Sequence, residues 1–218
     1  MKICKNVVGC AVGAFAMAGT LMSAASSAQA SVIFEQAPNY GGALYADSQG
    51  VAASQRIAEN FIPDFSASIE QVTWWGSNND NVHVNAFTIK FYEDNGGMPG
   101  AHLYTESPSS VASVDTGIDM FGNDVYQYSV VLNLPVSVDG GTQYWFSVTN
   151  ATSVSGTWGW TSGDSADVSL AGSSDHGETW WSTFGGVSMR LEGTVVPAPA
   201  SLGLAGLAGV AAMRRRRR

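Results

Sequence analysis

The sequence predicts an all-β protein: a two-sheet antiparallel β-sandwich, jelly-roll-like, with a signal helix before it and a short hydrophobic helix after it. Three observations predict this. Apolar and polar residues alternate at period two through most of the middle of the chain. Clusters of Gly, Asn, Asp and Ser separate those runs at short intervals. No stretch of the middle carries the 3.6-residue periodicity of an amphipathic helix.

Taken in order, residues 1–30 read as a secretory signal peptide. Lys2 and Lys5 form a positive start, residues 7–22 are apolar and uncharged, and the segment ends in Ala28-Gln29-Ala30. Small side chains at Ala28 and Ala30 suit a signal peptidase, which places cleavage before Ser31. Cys4 and Cys10 are the only two cysteines. Both leave with the signal, so the exported chain has no disulfide and no thiol chemistry.

Residues 31–195 form the sandwich domain. Strands are expected at 32–36, 56–62, 68–76, 82–92, 101–106, 111–115, 124–138, 143–150, 156–161 and 186–195. In the fourth of these Phe87, Ile89 and Phe91 form the buried side. Tyr126, Tyr128, Val130, Leu132 and Leu134 share one face of the long strand, as do Tyr144, Phe146 and Val148, and Val187, Met189 and Leu191. The loops include Asp94-Asn95-Gly96-Gly97-Met98-Pro99-Gly100 and Asp139-Gly140-Gly141. No internal repeat is visible.

Residues 196–218 close the chain. Pro197 and Pro199 make a stiff hinge, an apolar run follows, and Arg214, Arg215, Arg216, Arg217 and Arg218 form a cationic stop. From Ala200 to Met213 a helix would span about 21 Å at ~1.5 Å per residue. This falls short of a ~30 Å hydrocarbon core, which suits a transient inner-membrane tether better than a permanent transmembrane helix.

This order of parts resembles a PEP-CTERM sorting signal, a tail also catalogued as an ice-binding protein C-terminal domain, a label that implies no ice binding. Pro197 and Pro199 match the two prolines of the family box and the five arginines its basic stop; Ala198 stands where the family has glutamate. The resemblance implies a bacterium with an outer membrane. It also implies processing by an exosortase-type enzyme and delivery to the cell surface or exopolysaccharide matrix. A second resemblance lies in the domain itself. Phe87-Thr88-Ile89-Lys90-Phe91-Tyr92-Glu93-Asp94 with Gly97-Met98-Pro99-Gly100, and Gly141-Thr142-Gln143-Tyr144-Trp145-Phe146, are similar to segments of uncharacterised secreted PEP-CTERM proteins. Those domains look like carbohydrate-binding jelly rolls, which gives an expectation of fold and not of activity.

Charge narrows the function classes. Between Ser31 and Val196 only Arg56, Lys90 and Arg190 are cationic, against all 18 acidic residues, a net of −15. A surface of that sign repels phosphate backbones, so nucleic-acid binding is excluded as a class.

Catalytic motifs are thin. Gly163-Asp164-Ser165 resembles a serine-hydrolase box but sits in a Gly/Ser loop, without a strand-to-helix turn. Asp175, His176 and Glu178 offer acid–base groups with no spacing that pairs carboxylates. His83, His102 and His176 are too scattered for zinc or copper. Calcium takes loop oxygens, and four clusters qualify as structural sites. They are Asn78, Asn79 and Asp80; Glu93, Asp94 and Asn95; Asp115, Asp119, Asn123 and Asp124; and Asp164, Asp167 and Asp175. None has the EF-hand pattern.

The chain has seven tryptophans. In Trp74-Trp75 and Trp180-Trp181 adjacent residues should face opposite ways, while Trp158 and Trp160 should share a face. An outward ring beside acids is equipped to stack on a sugar. The expected glycan-contacting surface is therefore Trp158, Trp160, Trp180 and Trp181 with Asp175 and Glu178. The reading is an exported, non-catalytic envelope or extracellular-matrix protein that contacts polysaccharide, with a secreted polysaccharide-active hydrolase or lyase and a purely structural surface protein as alternatives. Its partners would be the export machinery, signal peptidase, the exosortase-type enzyme and extracellular polysaccharide.

Overall fold

The computed structural model describes residues 30–46, 55–78, 85–152, 156–164 and 169–197. Within them lie thirteen strands and no helix. The strands are β1 (Ser31–Gln36), β2 (Pro38–Tyr45), β3 (Arg56–Phe61), β4 (Ala67–Asn78), β5 (Phe87–Asp94), β6 (Pro99–Glu106) and β7 (Ala112–Met120). They continue with β8 (Asn123–Val138), β9 (Tyr144–Asn150), β10 (Trp158–Gly163), β11 (Ser169–Ser173), β12 (Trp181–Phe184) and β13 (Met189–Val195). The expected terminal helices and most of the expected sorting tail, everything beyond Pro197, fall outside the described residues. Among the described residues no helix is long and apolar enough to cross a membrane.

Two antiparallel sheets face each other. The smaller runs β12-β11-β3-β9-β5-β6. In the larger, the long strand β4 is central. It pairs with β8 on one side, and β8 with β7. On its other side β4 pairs with β13 and then, further along, with β10, which carry β1 and β2 respectively.

The alternation read from the sequence builds the core. Phe87, Ile89 and Phe91, then Phe146 and Val148, then Val187, Met189 and Leu191 are all buried between the sheets. Aromatic rings form a chain through this layer. Trp74, Tyr128 and Trp158 surround Phe87 at centroid distances of 5.1, 4.8 and 5.3 Å. Trp160 meets Phe146 edge-on at 5.7 Å, and Phe146 lies 5.0 Å from Phe91. With no cysteine in the domain, this packing is what holds it together.

Three strands escape the sequence pattern. β2 contains Pro38, Gly41 and Gly42 and bends at Tyr40, whose φ is 55°. β11 (Ser-Leu-Ala-Gly-Ser) and β12 lie in what reads as a Gly/Ser loop. Gly172 is required there: a Cβ would stand 2.8 Å from the Trp181 ring. The expected strand 82–92 begins only at Phe87. Leu134 also departs from expectation. The β4–β8 register jumps from Gln71↔Val131 to Ile69↔Val136, so the intervening residues bulge and Leu134 is thrown to the surface.

One buried acid sits in the core layer. Glu59 of β3 is fully enclosed, with Oε2 accepting the Val187 N–H at 2.6 Å and Gln36 Nε2 at 3.4 Å. Burial pushes its pKa up to about 8 against the lowering effect of those hydrogen bonds.

Candidate functional site

Strand β10 decides where the site lies. Trp158 and Trp160 do share a face, but it is the inner one: both are fully buried, and Trp160 Nε1 donates to the Ser188 carbonyl at 2.7 Å. The expectation that these rings stack on sugars is therefore corrected. They are core residues because they lie opposite Phe87 and Phe146 of the other sheet, where the layer between the sheets needs large fillers.

The same alternation turns Gly159 outward. Registers place it in a row between Tyr45 on β2 and Ser77 on β4. The missing side chain leaves a gap on the outer face of the larger sheet. A Cβ on Gly159 would stand 2.9 Å from that of Ala43. The result is an open cleft of about 150 Å³ lined by Ala43, Tyr45, Ser77, Met120, Phe121, Asn123, Thr157 and Gly159. None of these is charged.

The far wall is the tip of the β7–β8 hairpin. Met120 pairs with Asn123, and both residues between them have positive φ, 53° at Phe121 and 82° at Gly122. This is the type I′ signature, which favours Asn-Gly. A phenylalanine in the left-handed region is strained by roughly 1–2 kcal/mol, and its ring is 80% exposed. The hairpin is held down from beneath: Met120 and Val125 bury the outward ring of Trp75, with Tyr40 and Ala43 against it. The Trp74-Trp75 pair thus does point both ways, but the outward ring is covered.

Two polar atoms in this cleft are unsatisfied. Ser77 Oγ and Thr157 Oγ1 are buried and have no hydrogen-bond partner among the described residues. Each such hydroxyl costs about 1–3 kcal/mol until something bonds to it. Tyr45, half exposed, and Phe121 flank them with aromatic surface.

The remaining expected residues gather elsewhere. The loop after β11 packs on the outer face of the smaller sheet, on the other side of the molecule. Trp180 is half-buried there against Ala58, Tyr92, Trp145 and Ala171, meeting Tyr92 edge-on at 5.6 Å. Trp181 begins β12 and is partly exposed, and Glu178 is exposed. Asp175 accepts from Thr179 N at 2.9 Å, Thr179 Oγ1 at 2.5 Å and Ser173 Oγ at 2.7 Å. These bonds hold its carboxyl well below the usual carboxylate range. They also commit it to shaping its own loop. Trp180, Asp175 and Glu178 are thus brought together, and the sandwich separates them from Trp158 and Trp160.

The acidic clusters do not converge. Asp119 pairs across the hairpin with Asp124, and Asp115 faces Tyr126 further along. Asp115 Oδ1 caps its own turn through Gly117 N at 2.8 Å. Asp164 is exposed, while Asn79, Asp80, His83, Ser165 and Asp167 lie outside the described residues. Among the described residues no group of three or more His, Cys, Asp or Glu side chains is placed to hold a metal ion.

A family model describing a domain of unknown function, DUF7901, matches residues 32–201. The chain belongs to this family. The match begins at the second residue of β1 and runs past the end of β13 to residue 201. No curated protein and no solved structure matches the chain.

Sequence reasoning missed the cleft because its residues are individually bland. Phe121-Gly122 was the one available signal: a bulky aromatic in the slot where a tight hairpin turn takes asparagine.

Proposed function

We propose that this protein is an exported, non-catalytic envelope or extracellular-matrix component that binds neutral saccharide in the cleft between β2, β10, β4 and the β7–β8 turn. The observation that carries the reading is the pair of buried, unpartnered hydroxyls, Ser77 and Thr157, set between the rings of Tyr45 and Phe121. A sugar offers what each part lacks: hydroxyls to satisfy the orphan oxygens and an apolar ring face to cover the aromatics. The absence of charge from the lining favours a neutral ligand. The signal-like start and the PEP-CTERM-like tail support a route through signal peptidase, a transient inner-membrane tether and an exosortase-type enzyme to a polysaccharide-rich surface.

The test uses Phe121→Asn. Asparagine suits the turn, so the variant should melt higher, by the equivalent of roughly 1 kcal/mol. It should nevertheless lose about 10- to 100-fold in retention of neutral oligosaccharides on an array, the loss of one stacking ring. Full retention by this better-folded variant would remove the cleft from consideration, as would failure of the wild-type chain to retain any neutral glycan.

A further inference from the structure

The opposite face of the sandwich concentrates the few positive charges. Of the three cationic residues between Ser31 and Val196, two, Arg56 and Lys90, lie on the outer face of the smaller sheet with His102. Registers fix their places. Arg56 pairs with Ser173, Lys90 stands between Ser147 and Thr105, and His102 is opposite Tyr92. The His102 ring lies 4.5 Å from that of Tyr92, which in turn meets Trp180.

This cluster is not accounted for by internal pairing. Arg56 Nε donates to the His176 carbonyl at 2.9 Å and Nη1 to Thr149 Oγ1 at 2.7 Å, and among the described residues Nη2 has no acceptor. Lys90 has no carboxylate within ion-pair distance among the described residues, where Arg190–Glu192 is the pair that forms. The Tyr92 hydroxyl is buried, in a residue only 1% exposed, and has no hydrogen-bond partner among the described residues. Two of the nearby acids are engaged elsewhere. Asp94 Oδ1 accepts from Trp145 Nε1 and Gln143 Nε2, each at 2.8 Å, and Asp175 holds its own loop. Glu178 is the acid whose charge acts on Lys90.

We propose that this face is a second binding site, for an acidic saccharide whose carboxylate or sulfate sits against Lys90, Arg56 and the Tyr92 hydroxyl while its ring lies over His102 and Trp180. In a segment of net charge −15, cations collected at one place beside an orphan donor fit an anion. The aromatic neighbours fit a ring more than an acidic peptide. Burial and mutual repulsion lower the pKa of both Lys90 and His102, an unfavourable state that a bound anion relieves. The ligand class rests on the glycan reading given above, but no residue is shared with the cleft.

The experiment titrates the exported chain with a galacturonate trimer, a sulfated disaccharide and a glutamate trimer, followed by tryptophan emission and calorimetry. One or both acidic saccharides should bind saturably, and binding should weaken as salt is raised. The uronate and sulfate arms identify the anionic group. Lys90→Gln should weaken binding by about tenfold or more, and His102→Gln, at an exposed position, should weaken it severalfold. Both variants should melt as the parent does. Phe121→Asn should leave this binding unchanged, which separates this site's failure from that of the cleft. Three results would overturn the proposal: no saturable binding of either saccharide, indifference to both Lys90→Gln and His102→Gln, or equal affinity for the glutamate trimer.

Discussion

Replacing Glu59 with glutamine should flatten the pH dependence of stability. The carboxyl is fully enclosed between the sheets. Oε2 accepts two hydrogen bonds, from Val187 N and Gln36 Nε2, but Oε1 has none among the described residues. Two acceptor bonds on one oxygen do not replace the hydration lost by a whole carboxylate, so the folded state favours the protonated acid. Its pKa rises from 4.5 to about 8. Between these values the folded chain holds a proton that the unfolded chain has released. Stability is therefore fully present below about pH 4.5 and is lost as pH climbs through about 8. A separation of roughly 3.5 units at ~1.4 kcal/mol each sets a ceiling of ~5 kcal/mol. Bound water and local relaxation soften a buried charge, so about half of that is expected.

Glutamine keeps the shape and an acceptor for Val187 N–H while removing the titration. The assay is thermal melting of parent and Glu59→Gln from pH 5 to pH 9. The two should nearly coincide at pH 5. At pH 9 the variant should melt higher by about 5–10 °C, taking ~2–4 °C per kcal/mol for a chain of this size. Other titrating groups, including His102, cancel in the difference between the curves. Parallel curves across the range would refute the assignment of a neutral buried acid.

The remaining predictions are more direct. Trp158→Ala and Trp160→Ala should each destabilise the fold by about 3–5 kcal/mol, read by denaturant melts, because they remove core rings and leave cavities. Intact mass of the surface form should show a chain that starts at Ser31 and lacks Arg214 to Arg218; retention of those arginines would contradict the sorting proposal. Asp175→Ala should loosen the loop that carries Trp180, seen as faster amide exchange at Gly177 and Thr179, whose N–H groups bond to Ser173 Oγ and Asp175.

The parts of the fold that were legible in the sequence are those where one physical rule dominates. Strands buried on one face, such as β5 with Phe87, Ile89 and Phe91, announce themselves by alternation. Strands whose outer face is also covered do not. β9 is buried along its whole length, since Trp145 lies under Trp180 of the loop after β11 and Ser147 Oγ is tied to the Ile57 carbonyl of the neighbouring strand. Its inner residues still read correctly because they are the larger apolar ones. β11 is hidden for another reason: Gly172 must be small to admit Trp181, a constraint set by a residue that only tertiary packing brings near. β2 similarly depends on its partner, since its Pro and Gly content argues against a strand until β10 supplies the hydrogen bonds.

The site was harder to read for a reason that the tryptophans illustrate. Period-two alternation fixes which residues share a face but not which face is inside. For Trp158-Gly159-Trp160 the sequence alone favours the aromatic-rich side as the exposed one. The inward assignment comes from the opposite sheet: Trp158 packs on Phe87 and Trp160 on Phe146, contacts that the sequence of β10 does not carry. Once that is fixed, the consequence reverses: the glycine between the rings becomes the floor of the cleft. The walls come from strands far away in sequence, Tyr45 at one end of the domain and Phe121 in its middle. No single segment carries that site, so no motif could have named it. The cationic cluster has the same character. Arg56 and Lys90 are two unremarkable charges until β3, β9 and β5 lie side by side. The sandwich then presents two chemically different faces, an uncharged cleft on one sheet and a basic, aromatic surface on the other. If both proposals hold, the two faces engage two kinds of saccharide at once, and a cross-linking role in a polysaccharide matrix is the physical consequence of the two taken together.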